Sequence, residues 1–151
     1  MAATPTDPLA LERQVCFALA VASRTVISAY RPVLEPYGLT HPQYLVMLAL
    51  WQHEPLSIRR LADLLSLEPA TVSPLVKRLE AIGYVSRARS ANDERSLDVR
   101  LTAEGRELRS KATAIPGTMM KRLGIAPEEL TELHRAMSTL ITAAKKASAA
   151  G

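Results

Sequence analysis

Residues 57–84 read SIRRLADLLSLEPATVSPLVKRLEAIGY, and this stretch decides the fold. Ser57 has the chemistry of a helix cap, and apolar residues at helical spacing follow from Ile58 to Leu65. A short turn at Ser66-Leu67 leads to Glu68-Pro69, and a proline in the first turn opens a second helix that stops at Gly83. In that helix Val72, Leu75, Leu79 and Ile82 form an inward face, while Thr71, Ser73, Lys77 and Arg78 lie on the outer side. Two short helices joined by a tight turn occur in many folds; what comes next makes the order specific.

From Tyr84 to Thr102 the period changes from helical to alternating. Val85, Arg87 and Arg89 alternate before a polar segment, Ser90 to Ser96, and Leu97, Val99 and Leu101 alternate after it. This predicts a β-hairpin with a long charged tip. Helix, turn, helix and hairpin in succession describe a winged helix-turn-helix, a DNA-binding arrangement. Thr71 and Ser73, small hydroxyls near the start of the second helix, let its backbone approach base edges, and Lys77 and Arg78 reach phosphate or guanine. Pro74 removes a backbone hydrogen bond, which in a helix interior costs about 3 kcal/mol. Its early place lessens the damage, and the expectation is a local kink with the ring against DNA. Arg87, Arg89 and Arg95 are read as duplex contacts from the wing. An ion pair of Arg95 with Asp93 is expected to hold Arg95 extended as a minor-groove probe.

Outward from this core, Thr40 caps a helix from His41 to about His53, and Thr102 caps another from Ala103 to about Ala114. A first helix is read from about Pro8 to Tyr30, with Asp7 as its cap. Pro32, Pro36 and Gly38 break the chain after it, so a long regular helix is not expected there. Pro116-Gly117 interrupts the chain again, and a last amphipathic helix runs from near Pro127 to about Lys146 with a frayed tail. The fold class is mainly α. A single domain over residues 1–151 is expected, with dimerisation helices at about 8–36 and 104–147 and a winged-helix lobe at about 40–102.

Composition narrows the function classes. The chain has 151 residues with one Phe and one Trp, so its core must be aliphatic, which suits packed helices. The formal charge of +4 is compatible with a polyanion partner without requiring one. One cysteine, Cys16, allows no intrachain disulfide, and the three histidines show no ligand spacing, so no metal and no cofactor are expected. No apolar run reaches membrane-spanning length, and no leader pattern opens the chain; the expected location is the cytoplasm.

The segments Ser57-Ile58-Arg59-Arg60-Leu61-Ala62, Pro69 to Glu80, Gly83-Tyr84-Val85, Asp93-Glu94-Arg95-Ser96 and Leu101-Thr102-Ala103-Glu104-Gly105 together resemble the MarR family of bacterial regulators. Leu11 to Leu19, Tyr30-Arg31-Pro32, His41 to Leu45 and Ile115-Pro116-Gly117-Thr118 resemble its organic-hydroperoxide-sensing branch, the OhrR type. The resemblance covers nearly the whole chain. It implies a homodimeric repressor of double-stranded operator DNA, in which hydroperoxide oxidises a cysteine of the first helix and the dimer leaves its operator. That cysteine is Cys16, with Tyr30, His41 and Tyr44 as the sensor pocket. Two departures stand out. His41 occupies a place where the family commonly has tyrosine, and Ala20 one where some members carry a further tyrosine. With one cysteine per chain, this sequence is similar to the one-cysteine type, for which a small cellular thiol is the expected resolving partner.

Physical chemistry constrains such a sensor. With the first helix opening at Pro8, Cys16 lies about two turns in, where the helix dipole gives little help. Cys16 and Tyr30 share a face but stand roughly 21 Å apart along one helix. An antiparallel crossing of two copies near Ser23, with the small residues Ala20 and Ala22 alongside, brings Cys16 of one to Tyr30 of the other. Three other readings are weighed. A MarR-type repressor answering to a small aromatic ligand leaves Cys16 structural. A thiol peroxidase lacks a local His or Arg beside Cys16, so an enzyme is not expected. A helical interaction protein has no use for the wing.

Overall fold

The computed structural model describes residues 7–151. The chain forms two compact units, one ending at Thr113 and the other spanning Ala114–Gly151.

In the first unit, a 3-10 turn at Leu11–Arg13 precedes helix α1, Val15–Leu34, and a second 3-10 turn at Glu35–Tyr37 follows it. Helix α1 therefore starts seven residues later than expected, after Gln14, whose backbone is extended. It also runs past Tyr30 and carries Pro32 in its last turn. The proline's missing N–H leaves the Ser28 carbonyl without an intrahelical donor, and the helix ends two residues later. Gly38, at φ 71°, makes the left-handed turn that glycine takes at little cost.

Helix α2, His41–His53, is set by a capping box. Thr40 accepts the Gln43 N–H, and the Gln43 side chain accepts the Thr40 N–H at 2.9 Å. Strand β1 (Leu56–Ser57), α3 (Ile58–Leu65) and α4 (Pro69–Ile82) follow, then β2 (Val85–Arg89), β3 (Leu97–Leu101) and α5 (Ala103–Ala112). The three strands form an antiparallel sheet in the order β1-β3-β2. Arg87 lies opposite Val99, and Val85 opposite Leu101. Leu34, Val46, Met47, Leu50, Leu61, Val72, Val76, Leu79 and Val99 are fully buried. The core is aliphatic, as the composition requires.

Two short elements escaped the sequence reading. Strand β1 is only two residues long and is defined by pairing with β3 rather than by any local pattern. In the second unit, Pro116-Gly117 does not interrupt a helix but lies inside the opening of one: α6 spans Ile115–Leu123, with proline in its first turn. The last helix, α7, spans Pro127–Ala150 and continues through the segment expected to fray.

Candidate nucleic-acid interface and thiol site

The helix that would enter a groove is α4. Val72, Val76 and Leu79 are its fully buried residues; Val76 takes the inner place that periodicity gave to Leu75, which is half-buried. Thr71, Pro74, Lys77 and Arg78 are exposed, and Ser73 is half-buried. The helix is continuous through Pro74, the residue expected to kink it. Pro74 is the sixth residue of α4, where its missing N–H leaves only the Ala70 carbonyl without an intrahelical donor.

The end of α4 is fastened from several sides. Gly83, at φ 104°, caps it, and Thr102 Oγ1 donates to the Gly83 carbonyl at 2.6 Å. Tyr84 Oη donates to the Tyr37 carbonyl at 2.8 Å, joining the base of the wing to the turn between α1 and α2. A Cβ at Gly105 would collide with the Tyr84 carbonyl, so α5 approaches this point as only glycine allows. Trp51 Nε1 donates to the Gly105 carbonyl at 2.9 Å. Glu54 accepts the Leu101 N–H at 2.7 Å and Arg106 Nε at 3.1 Å. None of these long-range bonds has a local sequence signal; each depends on which elements the fold brings together.

The wing corrects one expectation. Asp93 Oδ1 accepts the backbone N–H of Arg95 at 3.0 Å, and Asp93 makes no ion pair with the Arg95 guanidinium. The carboxylate sets the turn, as aspartate does in an Asx turn, and Arg95 stays exposed at the tip. Arg87 is engaged within the chain. Its Nε and Nη2 donate to Glu80 of α4 at 3.3 and 3.0 Å. The Arg87 hydrogen bond holds the Glu80 carboxyl below the usual carboxylate range. Arg89, in contrast, is exposed.

The thiol site is divided between the two ends of α1. Cys16 is free, exposed and the second residue of the helix. The expectation that it lies two turns in is therefore corrected: it sits in the first turn, whose N–H groups have no intrahelical acceptors and which favours negative charge. Tyr30, near the other end, meets His41 edge-on with ring centroids 5.0 Å apart, and Tyr44 at 5.9 Å. Burial lowers the His41 pKa, so near neutrality its imidazole is uncharged. Burial raises the Tyr44 pKa, with a smaller contribution from Tyr30. The structure thus brings Tyr30, His41 and Tyr44 together and leaves Cys16 apart from them. Beside His41 lies a cleft of about 420 Å³, lined by Ile27, Leu39 and Pro42 and by the polar groups of Arg31, Glu35 and Thr40.

Helix α1 itself is mostly uncovered. Leu34 is its only buried residue, and Val15, Phe17, Val21, Val26 and Ile27 are exposed. Helix α7 buries none, and Leu130, Leu133, Leu140 and Ile141 are exposed. Neither is a membrane span: no helix among the described residues is long and apolar enough to cross a bilayer.

The hairpin packed behind a helix-turn-helix defines the class, a winged-helix protein. The model of the MarR family matches residues 39–97. The organic hydroperoxide resistance transcriptional regulator of Bacillus subtilis is 40% identical over 135 residues, 89% of this chain and 92% of that protein. The transcriptional regulator SarZ of Staphylococcus epidermidis is 33% identical over 87% of this chain and 89% of its own. Among solved structures, reduced AbfR bound to DNA matches with a TM-score of 0.78 at 30% identity, covering 90% of this chain and 93% of that one. The chain belongs to the MarR family.

Proposed function

We propose that the protein is a DNA-binding repressor that senses organic hydroperoxides through Cys16. The observation that carries this reading is the placement of Cys16. It is an exposed thiol in the first turn of a helix whose apolar residues are uncovered, with the Tyr30-His41-Tyr44 cluster at the other end of that helix. The likeness to the Bacillus subtilis regulator over nine-tenths of the chain supports the same reading.

The exposed aliphatic faces of α1 and α7 call for a second copy, and a symmetric pair makes every contact twice. An antiparallel crossing of two α1 helices carries each Cys16 towards the partner's phenol and imidazole. The pair presents two α4 helices to successive turns of a duplex, with Thr71, Ser73, Pro74, Lys77 and Arg78 in the major groove. Arg89 and Arg95 reach the backbone and minor groove from the wings.

The redox step balances as follows. The Cys16 thiolate attacks one peroxide oxygen, an S–O bond forms and the O–O bond breaks. Sulfur is oxidised by two electrons to sulfenic acid, and the departing alkoxide takes a proton to become an alcohol. A small cellular thiol then attacks the sulfenic sulfur, forming a mixed disulfide and releasing water. This bulky polar group between the protomers favours the arrangement that binds DNA weakly. Moving operator occupancy from 99:1 to 1:99 requires the two states to differ by about 5.5 kcal/mol in DNA preference. The thiol reacts once per reductive reset, as a regulator of cytoplasmic DNA rather than an enzyme.

Mass spectrometry of peroxide-treated protein tests the chemistry. Cys16 is expected to carry oxygen or a mixed disulfide when DNA is released; release with Cys16 unmodified contradicts it. A second reading, a repressor answering to a small aromatic acid, is favoured by the cleft beside His41, which Arg31 lines together with the apolar Ile27, Leu39 and Pro42. A rise in melting temperature with salicylate, in protein carrying Cys16→Ser, supports that reading.

A further inference from the structure

The pairing of Arg87 with Glu80 is the feature that the functional reading leaves unused. Arg87 alternates with Val85 on β2 and lies opposite the buried Val99, so its side chain starts from the sheet face that packs on the helices. Glu80 is on the last turn of α4, seven residues away across the Gly83 reversal. The guanidinium meets the carboxylate with two nitrogens on two oxygens, at 3.3 and 3.0 Å. Such a two-pronged pair fixes orientation as well as distance. The side chains keep 24% and 38% of their exposure, so the pair adds little to fold stability.

The wing needs an orienting device. Its base is held by the Thr102 and Tyr84 hydrogen bonds and by buried Val85 and Leu101. Beyond that base, the Arg87 pair is the one side-chain hydrogen bond or ion pair among the described residues that joins β2 or the wing tip to α4. Strand β2 extends roughly 17 Å, so a tilt of roughly 10° at its base carries the tip about 3 Å, enough to lose a hydrogen bond to DNA.

We propose that Glu80 is a positioning residue for DNA binding: through Arg87 it sets the angle of the wing against α4, so that Arg95 and the recognition helix reach one duplex in register. This rests on the reading of the chain as a DNA-binding protein, and it takes Arg87 out of the set of direct DNA contacts.

The two roles of Arg87 predict opposite results. The probe is a duplex from the region upstream of the protein's own coding sequence, and wild-type binding to it, lost steeply with salt, is measured first as the separate test of the functional reading. If Glu80 positions the wing, Glu80→Gln weakens binding about threefold to tenfold with an unchanged melting temperature. The slope of log affinity against log salt stays as in wild type. The doubly exchanged protein, Glu80→Arg with Arg87→Glu, has the same net charge and returns to within about twofold of wild type. If Arg87 is instead a phosphate ligand, Glu80→Gln leaves affinity unchanged or raises it, because a carboxylate beside the DNA has gone. Arg87→Gln then lowers the salt slope by about 0.9 and the exchange fails to rescue. Either of those last patterns overturns the proposal.

Discussion

The segment from α2 to α5 and the helix α1 belong to the same compact unit, yet they are built on different terms. In the former, Val46, Met47, Leu50, Leu61, Val72, Val76, Leu79 and Val99 bury one another, and the polar groups between elements are bonded within the chain. In α1, twenty residues bury a single side chain. An aliphatic helix left exposed in one copy is a surface awaiting another. The difference separates what one chain completes by itself, a closed core, from what the proposed function assigns to two, the surroundings of Cys16.

Breaking the α1 side of this contrast has the largest expected effect. Val21→Glu places a charge in the exposed apolar stripe and should leave the helical content of the chain intact while giving a monomer in sedimentation. Duplex affinity then falls about 10²- to 10⁴-fold, the loss expected when two linked binding modules become independent. A dimer that persists with this substitution would remove α1 from the interface. On the other side of the contrast, Leu79→Ala opens a cavity in a fully buried position of α4. It should cost about 2–5 kcal/mol in urea unfolding. A cost near zero would mean that the winged-helix core is not closed by α4 as described.

The smallest expected effect concerns His41, where the two regions meet. Its pKa in the folded protein lies below the unfolded value, because burial disfavours the imidazolium. The unfolded chain therefore binds the extra proton first. The contribution of neutral His41 to stability is complete above the ordinary histidine pKa of about 6.5 and is lost as pH falls through the lower folded value. Melting temperatures at pH 7.5 and 5.5 should fall less on acidification in His41→Tyr than in wild type. An equal fall in the two proteins would exclude His41 as the source.

The same division explains what could be read from the sequence. Thr40, Ser57 and Thr102 carry their structural instruction locally, as side-chain oxygens that accept a helix N–H, and α2, α3 and α5 begin where those residues say. Gly83 and the alternation around the wing are equally local. At Asp93 the sequence leaves two partners two residues away in competition for the carboxylate, the Arg95 guanidinium and the Arg95 N–H. The backbone donor wins in the structure, since the turn already holds it in place. Helix α6 was missed because Pro116 can end a helix or open one, and the residues beside it do not decide between them. The start of α1 was displaced because Pro8 imitates a first-turn proline, while the chain passes through a 3-10 turn before the helix begins at Val15. That shift places Cys16 in a first turn, a different electrostatic setting from a helix interior. The pairing of Glu80 with Arg87 has no sequence signal, because two oppositely charged residues seven apart meet only after Gly83 has reversed the chain.

If one sulfur governs DNA occupancy, fluorescence anisotropy of a labelled upstream duplex titrated with cumene hydroperoxide reads it directly. Wild-type protein should release the duplex as Cys16 is oxidised, while Cys16→Ser should bind with near wild-type affinity and hold it throughout. Release from Cys16→Ser at the same hydroperoxide concentration as from wild type would contradict the account.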